Sequence, residues 1–241
     1  MQFRVKQVQP LRLFHVNFKH YLDMTLSLLR MQEFYESPKF KGHFFTLEDY
    51  IRWYCAEYKK SFDYVTDVGG MNIPGDVVVQ FMKIFYFENG DEYPLSDMEF
   101  EVIEELIEQG ILDWQLMNRG TNPTDFYLIA TYGSCKNLEA YLAHEIRHAL
   151  FYLTPEYRDA ILEVLRQHDN RTVCKFYKLI KKDYNKTVVH DEIQAYALTG
   201  FDPYYKCPIS ALPKGLQALR ADLKKVERKF IRKGKIYVPT G

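Results

Sequence analysis

Apolar positions recur at helical spacing along most of the chain. Tyr21, Leu22, Met24, Leu26, Leu28, Leu29 and Phe34 form a broad apolar face, which predicts a helix over residues 17–36, closed by Pro38 and Gly42. Thr46, followed by Glu48 and Asp49, reads as the cap of a second helix that carries Tyr50, Ile51, Trp53, Tyr54, Tyr58 and Phe62. The run 77–87 is apolar throughout and suits either a helix or a buried strand. Ser96-Asp97-Met98-Glu99 is a capping box, opening a helix with Phe100, Ile103, Leu106 and Ile107 on one face and Gly110 as its stop. The other face of that helix, with Glu101, Glu104, Glu105 and Glu108, reads as solvated.

The second half begins with strand signals. Residues 111–117 predict a short strand, 118–123 a turn, and 126–131 (Phe126-Tyr127-Leu128-Ile129-Ala130-Thr131) the best strand of the chain. Helices are then expected over 135–154, over 155–167 with Pro155 at the first position, over 172–182 and over 188–198 with Gly200 as the stop. Residues 67–75, with Gly69, Gly70, Pro74 and Gly75, read as a structural loop, and 89–92 as a polar turn. No Lys-Ser/Thr follows the paired glycines, so a phosphate cradle is set aside. The expected fold is α+β and mainly helical, a single domain over 1–241. Within it, 1–110 forms a helical N-terminal lobe, 111–205 the core and 206–241 a basic amphipathic helix.

Composition changes this picture in one place. Of the 241 residues, 47% are apolar and 16% aromatic, enough to build a sizeable core. The formal net charge is zero, which offers no global attraction to nucleic acid or an anionic membrane. Residues 214–235, however, hold nine Lys/Arg against Asp222 and Glu227, so this stretch is net +7 and the remainder net −7. Leu216, Leu219, Leu223, Val226 and Phe230 share one face of it. Such a helix can meet RNA or an anionic surface, but docking on the acidic body is the expectation.

No apolar stretch approaches the length of a membrane span, and the opening residues lack the apolar run of a leader. Cys55, Cys135, Cys174 and Cys207 are widely spaced and form no C-x-x-C pair, which suggests reduced, mostly buried thiols and a cytoplasmic protein.

The chemistry concentrates in His144-Glu145-Ile146-Arg147-His148. On a helix, positions i and i+4 lie about 40° apart around the axis and roughly 6 Å along it, so two imidazoles can face one ion. Glu145 sits roughly 100° round from His144, placed to take a proton from a metal-bound water. A strand edge ahead of this helix would let an extended peptide pair across the ion. Arg147 reads as the partner of an acid on a neighbouring helix, or as a binder of a substrate carboxylate.

A catalytic zinc takes three protein ligands and leaves one position open. The short metzincin spacing would place the third histidine at Thr154 and a glycine at Phe151, which excludes that class. The remaining cluster is His190-Asp191-Glu192, three ligand-capable side chains in succession.

In these two segments the chain resembles the gluzincin branch of the zincin-like metallopeptidases. The resemblance implies His144 and His148 as zinc ligands, Glu145 as general base and Glu192 as third ligand; by position alone His190 or Asp191 can take the place of Glu192, or His190 can simply cap the helix. It implies a small twisted sheet packed on the metal helix, a helical lobe walling one side of a cleft, and a peptide or protein substrate. Asp191 or Gln194 would orient a histidine, and Tyr196, one turn beyond Glu192, would donate to a developing oxyanion.

Two other classes compete. A non-proteolytic binding or regulatory protein of the same fold would hold a structural metal or none. A di-iron carboxylate protein would use Glu145-x-x-His148, but needs a second such motif on another helix, and the sequence has only one.

Overall fold

A computed structural model describes residues 2–8, 11–64, 68–89, 95–134, 137–168, 171–200 and 211–231. The chain is α+β and mainly helical, as expected, around one four-stranded mixed sheet. The strands are β1 (Phe3–Val8), β2 (Leu13–Phe18), β3 (Gly70–Pro74) and β4 (Tyr127–Tyr132), in the order β1-β2-β4-β3. β1 and β2 are antiparallel, β2 runs parallel to β4, and β3 returns antiparallel beside β4 with Gly70 opposite Thr131.

Three of these strands were not expected. Residues 13–18 alternate, with Phe14, Val16 and Phe18 turned to one core and Leu13 to the other. That period-two pattern makes a strand of what was expected to begin a helix at residue 17, and α1 (Tyr21–Glu36) starts only after it. Residues 70–74, expected as loop, form edge strand β3; Pro74, which has no N–H to offer a ladder, stands at its end. The N-terminal stretch expected to be helical thus supplies β1, β2 and β3.

Other elements follow their local chemistry. α2 (Leu47–Tyr58) opens with Thr46 and Asp49 in a reciprocal capping box and ends at Lys59, whose φ of 52° is left-handed, so Phe62 lies beyond it. The apolar run resolves as helix α3 (Gly75–Met82), which continues as one π-helical turn over Lys83–Glu88. Ser96 and Glu99 cap α4 (Asp97–Glu108), and Gly110 takes the left-handed conformation beyond it. The strand expected over 111–117 is instead the short helix α5 (Trp114–Asn118), because the Asp113 carboxylate accepts from Leu116 N–H and nucleates a turn.

Then follow α6 (Leu138–Leu153), α7 (Pro155–Gln167), α8 (Arg171–Asp183), α9 (Val189–Thr199) and α10 (Lys214–Ile231). The expected turn at residues 90–92, the loop residue Asp67, the helix start at Cys135, Cys207 and the tail beyond 231 lie outside the described residues. Among the described cysteines Cys174 is exposed and Cys55 half-buried, not buried as expected. No helix of the described residues is long and apolar enough to cross a membrane.

Both faces of the sheet are covered. Leu128 and Ala130 of β4 join a core with α1, α3 and α4, while Tyr127 and Ile129 face a second core with α6 to α10. β4 is therefore a central strand, buried on both faces, and offers no open edge. The edge beside α6 belongs to β3, where the Asn72 N–H donates to Gln32 Oε1 of α1 (3.0 Å). The strand pairing expected for a substrate at residues 126–131 has no free partner there.

The basic helix docks on the body. Leu216, Leu219 and Leu223 are fully buried, and Arg147 Nε of α6 donates to Glu227 Oε1 of α10 at 2.8 Å, both side chains being buried. Arg147 thus pairs with an acid of a neighbouring helix.

Candidate metal centre

α6 and α9 bring the candidate residues together. Helical spacing stacks His144 over His148, and their Nε2 atoms stand 3.1 Å apart. Glu192, at the start of α9, places its carboxylate oxygens 3.8 Å from His148 Nε2 and 3.9 Å from His144 Nε2. One ligand atom from each of the three lies within 4.8 Å of the others.

The flanking groups set how the imidazoles present themselves. His148 Nδ1 meets Asp191 Oδ2 at 3.0 Å, and His144 Nδ1 meets the Thr199 hydroxyl at 3.3 Å. These contacts turn the Nε2 edge of each ring toward the other, and the 3.1 Å Nε2–Nε2 approach requires one ring to donate and the other to accept. Asp191 is held in turn by Gln194 Nε2, which donates to Asp191 Oδ1 (2.9 Å) and to the Arg147 carbonyl (3.1 Å). Tyr157 donates its hydroxyl to Gln194 Oε1 at 3.1 Å. Asp191 touches His148 directly and Gln194 acts one bond further out.

The electrostatics divide the two rings, one held neutral and the other charged. Burial, with His148 and Arg147 nearby, holds His144 well below the usual imidazole range. Burial also pulls His148 down, but Asp191 and Glu192 override it and hold that ring well above its ordinary value. Burial pushes Glu145 up to about 7, partly opposed by His148 and a hydrogen bond from Asn72. Glu192 is pushed up for the same reason, with Glu36, Asp191 and Glu145 adding repulsion against the pull of His148.

The donor set fits a divalent cation. Two ligands 2.0–2.1 Å from a tetrahedral ion lie roughly 3.3 Å apart, close to the spacings observed. Glu145 Oε2 and Glu192 Oε2 are buried and accept no hydrogen bond, so two carboxylate oxygens await a positive partner. Two histidines and one carboxylate suit several first-row divalent ions.

The remaining candidates fall as follows. His190 is exposed, packs its ring against Tyr177 (5.5 Å) and is not part of the cluster. Tyr196 lies over His144, ring centroids 4.6 Å apart, and its hydroxyl is 2.9 Å from that of Tyr184. Glu145 stands beside β3, within hydrogen-bonding reach of Asn72, rather than in the ligand triangle.

The cleft over these groups, about 460 Å³, has walls that sequence reasoning did not assign. Gln32, Glu33 and Glu36 of α1 line it, as do Tyr50, Trp53, Tyr54 and Tyr58 of α2. Asn72 is a hub on β3: its side-chain amide donates to Glu36 Oε1 (3.2 Å), and its carbonyl oxygen accepts from the Tyr127 hydroxyl (2.5 Å). The available signal was the polar set Gln32, Glu33 and Glu36 near the end of α1, which sequence alone does not separate from a solvated face. Compared with family models, with curated proteins and with solved structures, the chain gives no match.

Proposed function

We propose that the chain is a zinc-dependent hydrolase with a zincin-like core, acting on peptide bonds. His144, His148 and Glu192 are its metal ligands and Glu145 its general base. The observation that carries this reading is the convergence of His144 Nε2, His148 Nε2 and a Glu192 oxygen on one point, with Glu145 one residue along the same helix.

Zinc held by two histidines and a glutamate supplies Lewis acidity that makes water a nucleophile near neutral pH. The protein does the rest. Glu145, its Oε2 lacking a donor, receives the proton of the attacking water and passes it to the leaving amine. Asp191 and Thr199 keep both imidazoles turned toward the ion. The Tyr196 hydroxyl, positioned by Tyr184, donates to the oxyanion as the carbonyl becomes tetrahedral. The wall formed by α1 and α2 limits water and orients the chain to be cut.

Metal analysis by mass spectrometry of the native protein, beside His148→Ala and Glu192→Ala, tests the site. About one zinc per chain, lost in both variants, supports it. Iron in place of zinc would redirect the chemistry to oxygen activation, and no metal after zinc is offered would end the reading. Turnover of a quenched fluorescent peptide library then tests the reaction. Glu145→Gln is expected to keep the zinc and lose activity; a zinc-loaded native protein without turnover would favour a binding role.

A further inference from the structure

Five carboxylates line the cleft: Glu33, Glu36, Glu145, Asp183 and Glu192. Among the described residues no lysine or arginine lines it. The hydrolase reading uses Glu145 and Glu192 and leaves the other three without a role. Glu33 and Glu36 are buried, yet neither is ion-paired among the described residues. The Tyr50 and Tyr64 hydroxyls donate to Glu33, and Glu36 accepts from Asn72. Burying a carboxylate without a cation costs several kcal/mol unless something compensates it.

The facing wall is aromatic. α2 sets Tyr50, Trp53, Tyr54 and Tyr58 along one side at helical spacing, and Tyr64 closes against them with its ring 5.6 Å from that of Tyr50. Outside the cleft the same rings meet a cation, Lys60 Nζ standing 5.2 Å from the Tyr54 ring centroid and 5.9 Å from that of Tyr58. On the floor, Glu145 Oε2 and Glu192 Oε2 are buried with no donor. One ion at the floor neutralises part of this charge and leaves Glu33 and Glu36 facing the cavity.

We infer that the cleft selects a substrate presenting a cationic group, an ammonium or a guanidinium, to Glu33 and Glu36 beside the tyrosine wall of α2. Two sources share this chemistry, a lysine or arginine side chain and a free α-amino group. Burial holds both carboxylates above the usual range, Glu33 at about 7 and Glu36 at about 8, so a bound cation favours their charged form and then receives charge-assisted hydrogen bonds, with the rings adding a cation–π surface. The inference names a substrate class for the proposed hydrolase, but the selection itself requires no catalysis.

Calorimetric titration of the purified full chain tests it, with three probes: N-acetyl-arginine amide, N-acetyl-norleucine amide and norleucine amide with its α-amine free. At least one cationic probe is expected to bind about tenfold or more tightly than N-acetyl-norleucine amide. An advantage for the arginine probe assigns a side chain, and one for the free amine assigns a chain terminus. Glu33→Gln, nearly isosteric, is expected to shrink the advantage to about threefold or less with zinc content unchanged. Equal or tighter binding of N-acetyl-norleucine amide overturns the inference, as does no binding of any probe at millimolar concentration. A cationic preference intact in both Glu33→Gln and Glu36→Gln overturns it too. A chain without zinc that still prefers the cationic probes would sink the hydrolase reading and leave this one standing.

Discussion

Gly70 makes room for Glu145. A Cβ at position 70 would lie 2.7 Å from Glu145 Oε1 and 3.0 Å from its Cγ, so the carboxylate occupies the space that any other residue on β3 would fill. Edge strand β3 and helix α6 approach this closely only through a glycine, and the approach fixes the carboxylate beside the histidine pair.

Gly70→Ala is expected to displace Glu145 while leaving the cluster of His144, His148 and Glu192 intact. Peptide turnover should fall by about 10²-fold, in line with the cost of misplacing a catalytic group by about 1 Å, while metal content stays unchanged. Gly69 differs: a Cβ there would overlap the Tyr141 ring at 2.1–2.4 Å, so Gly69→Ala should lower thermal stability as well. Kinetics and thermal melts on both variants separate the two effects, and unaltered turnover in Gly70→Ala would count against the base.

Asp191→Ala removes the carboxylate beside His148 Nδ1 and with it the group that orients the ring. Zinc affinity should drop about 10–100-fold, measured by competition with a chromogenic chelator. Asp191→Asn, which keeps an acceptor oxygen, should recover part of that loss.

Glu33 gives the fold a pH dependence. Burial raises its pKa from an ordinary 4.5 to about 7, against the donating hydroxyls of Tyr64 and Tyr50. Below pH 4.5 the group is protonated in both folded and unfolded chains and costs nothing. Between 4.5 and 7 only the unfolded chain ionises, so this contribution to stability is lost as pH rises, by about 3 kcal/mol in all. Glu33→Gln should therefore be more stable than the native chain at pH 8 by roughly 2–3 kcal/mol, and the two should converge near pH 4.5. Urea melts across this range check the sign; a destabilised variant at pH 8 would contradict it. A carboxylate kept at such a cost is the pattern of a residue retained for binding.

The buried Arg147–Glu227 pair ties α6 to α10. Glu227→Ala would strand the guanidinium and should cost about 3–5 kcal/mol in chemical denaturation. Replacing both partners, as Arg147→Met with Glu227→Leu, should recover most of that loss, because two apolar side chains leave no unpaired charge.

What the chain alone determined is what local periodicity and caps encode. The helices from α6 to α9, the capping boxes at Thr46 and Ser96 and the i, i+4 histidine pair depend on residues within a few positions of one another. Local steric and hydrogen-bonding preference is enough to specify them. The docking of the basic helix was legible for a related reason, since its apolar stripe and opposite charge match an acidic body.

The tertiary structure alone decided the rest. Residues 70–74 look like a loop in isolation and become a strand only because β4 supplies the hydrogen-bonding partner, from about 57 positions away. Residues 111–117 have the apolar content of a strand but find no sheet edge, and a carboxylate at Asp113 turns them into a helix. Glu33 and Glu36 are indistinguishable in sequence from solvated helix acids. They line a cleft because α1 packs beside β3 and its C-terminal turn meets the segment before α9, where Asn185 N–H donates to the Glu36 carbonyl at 2.8 Å. Strand pairing and the burial of polar groups are long-range properties, set by which surfaces meet once the chain has closed.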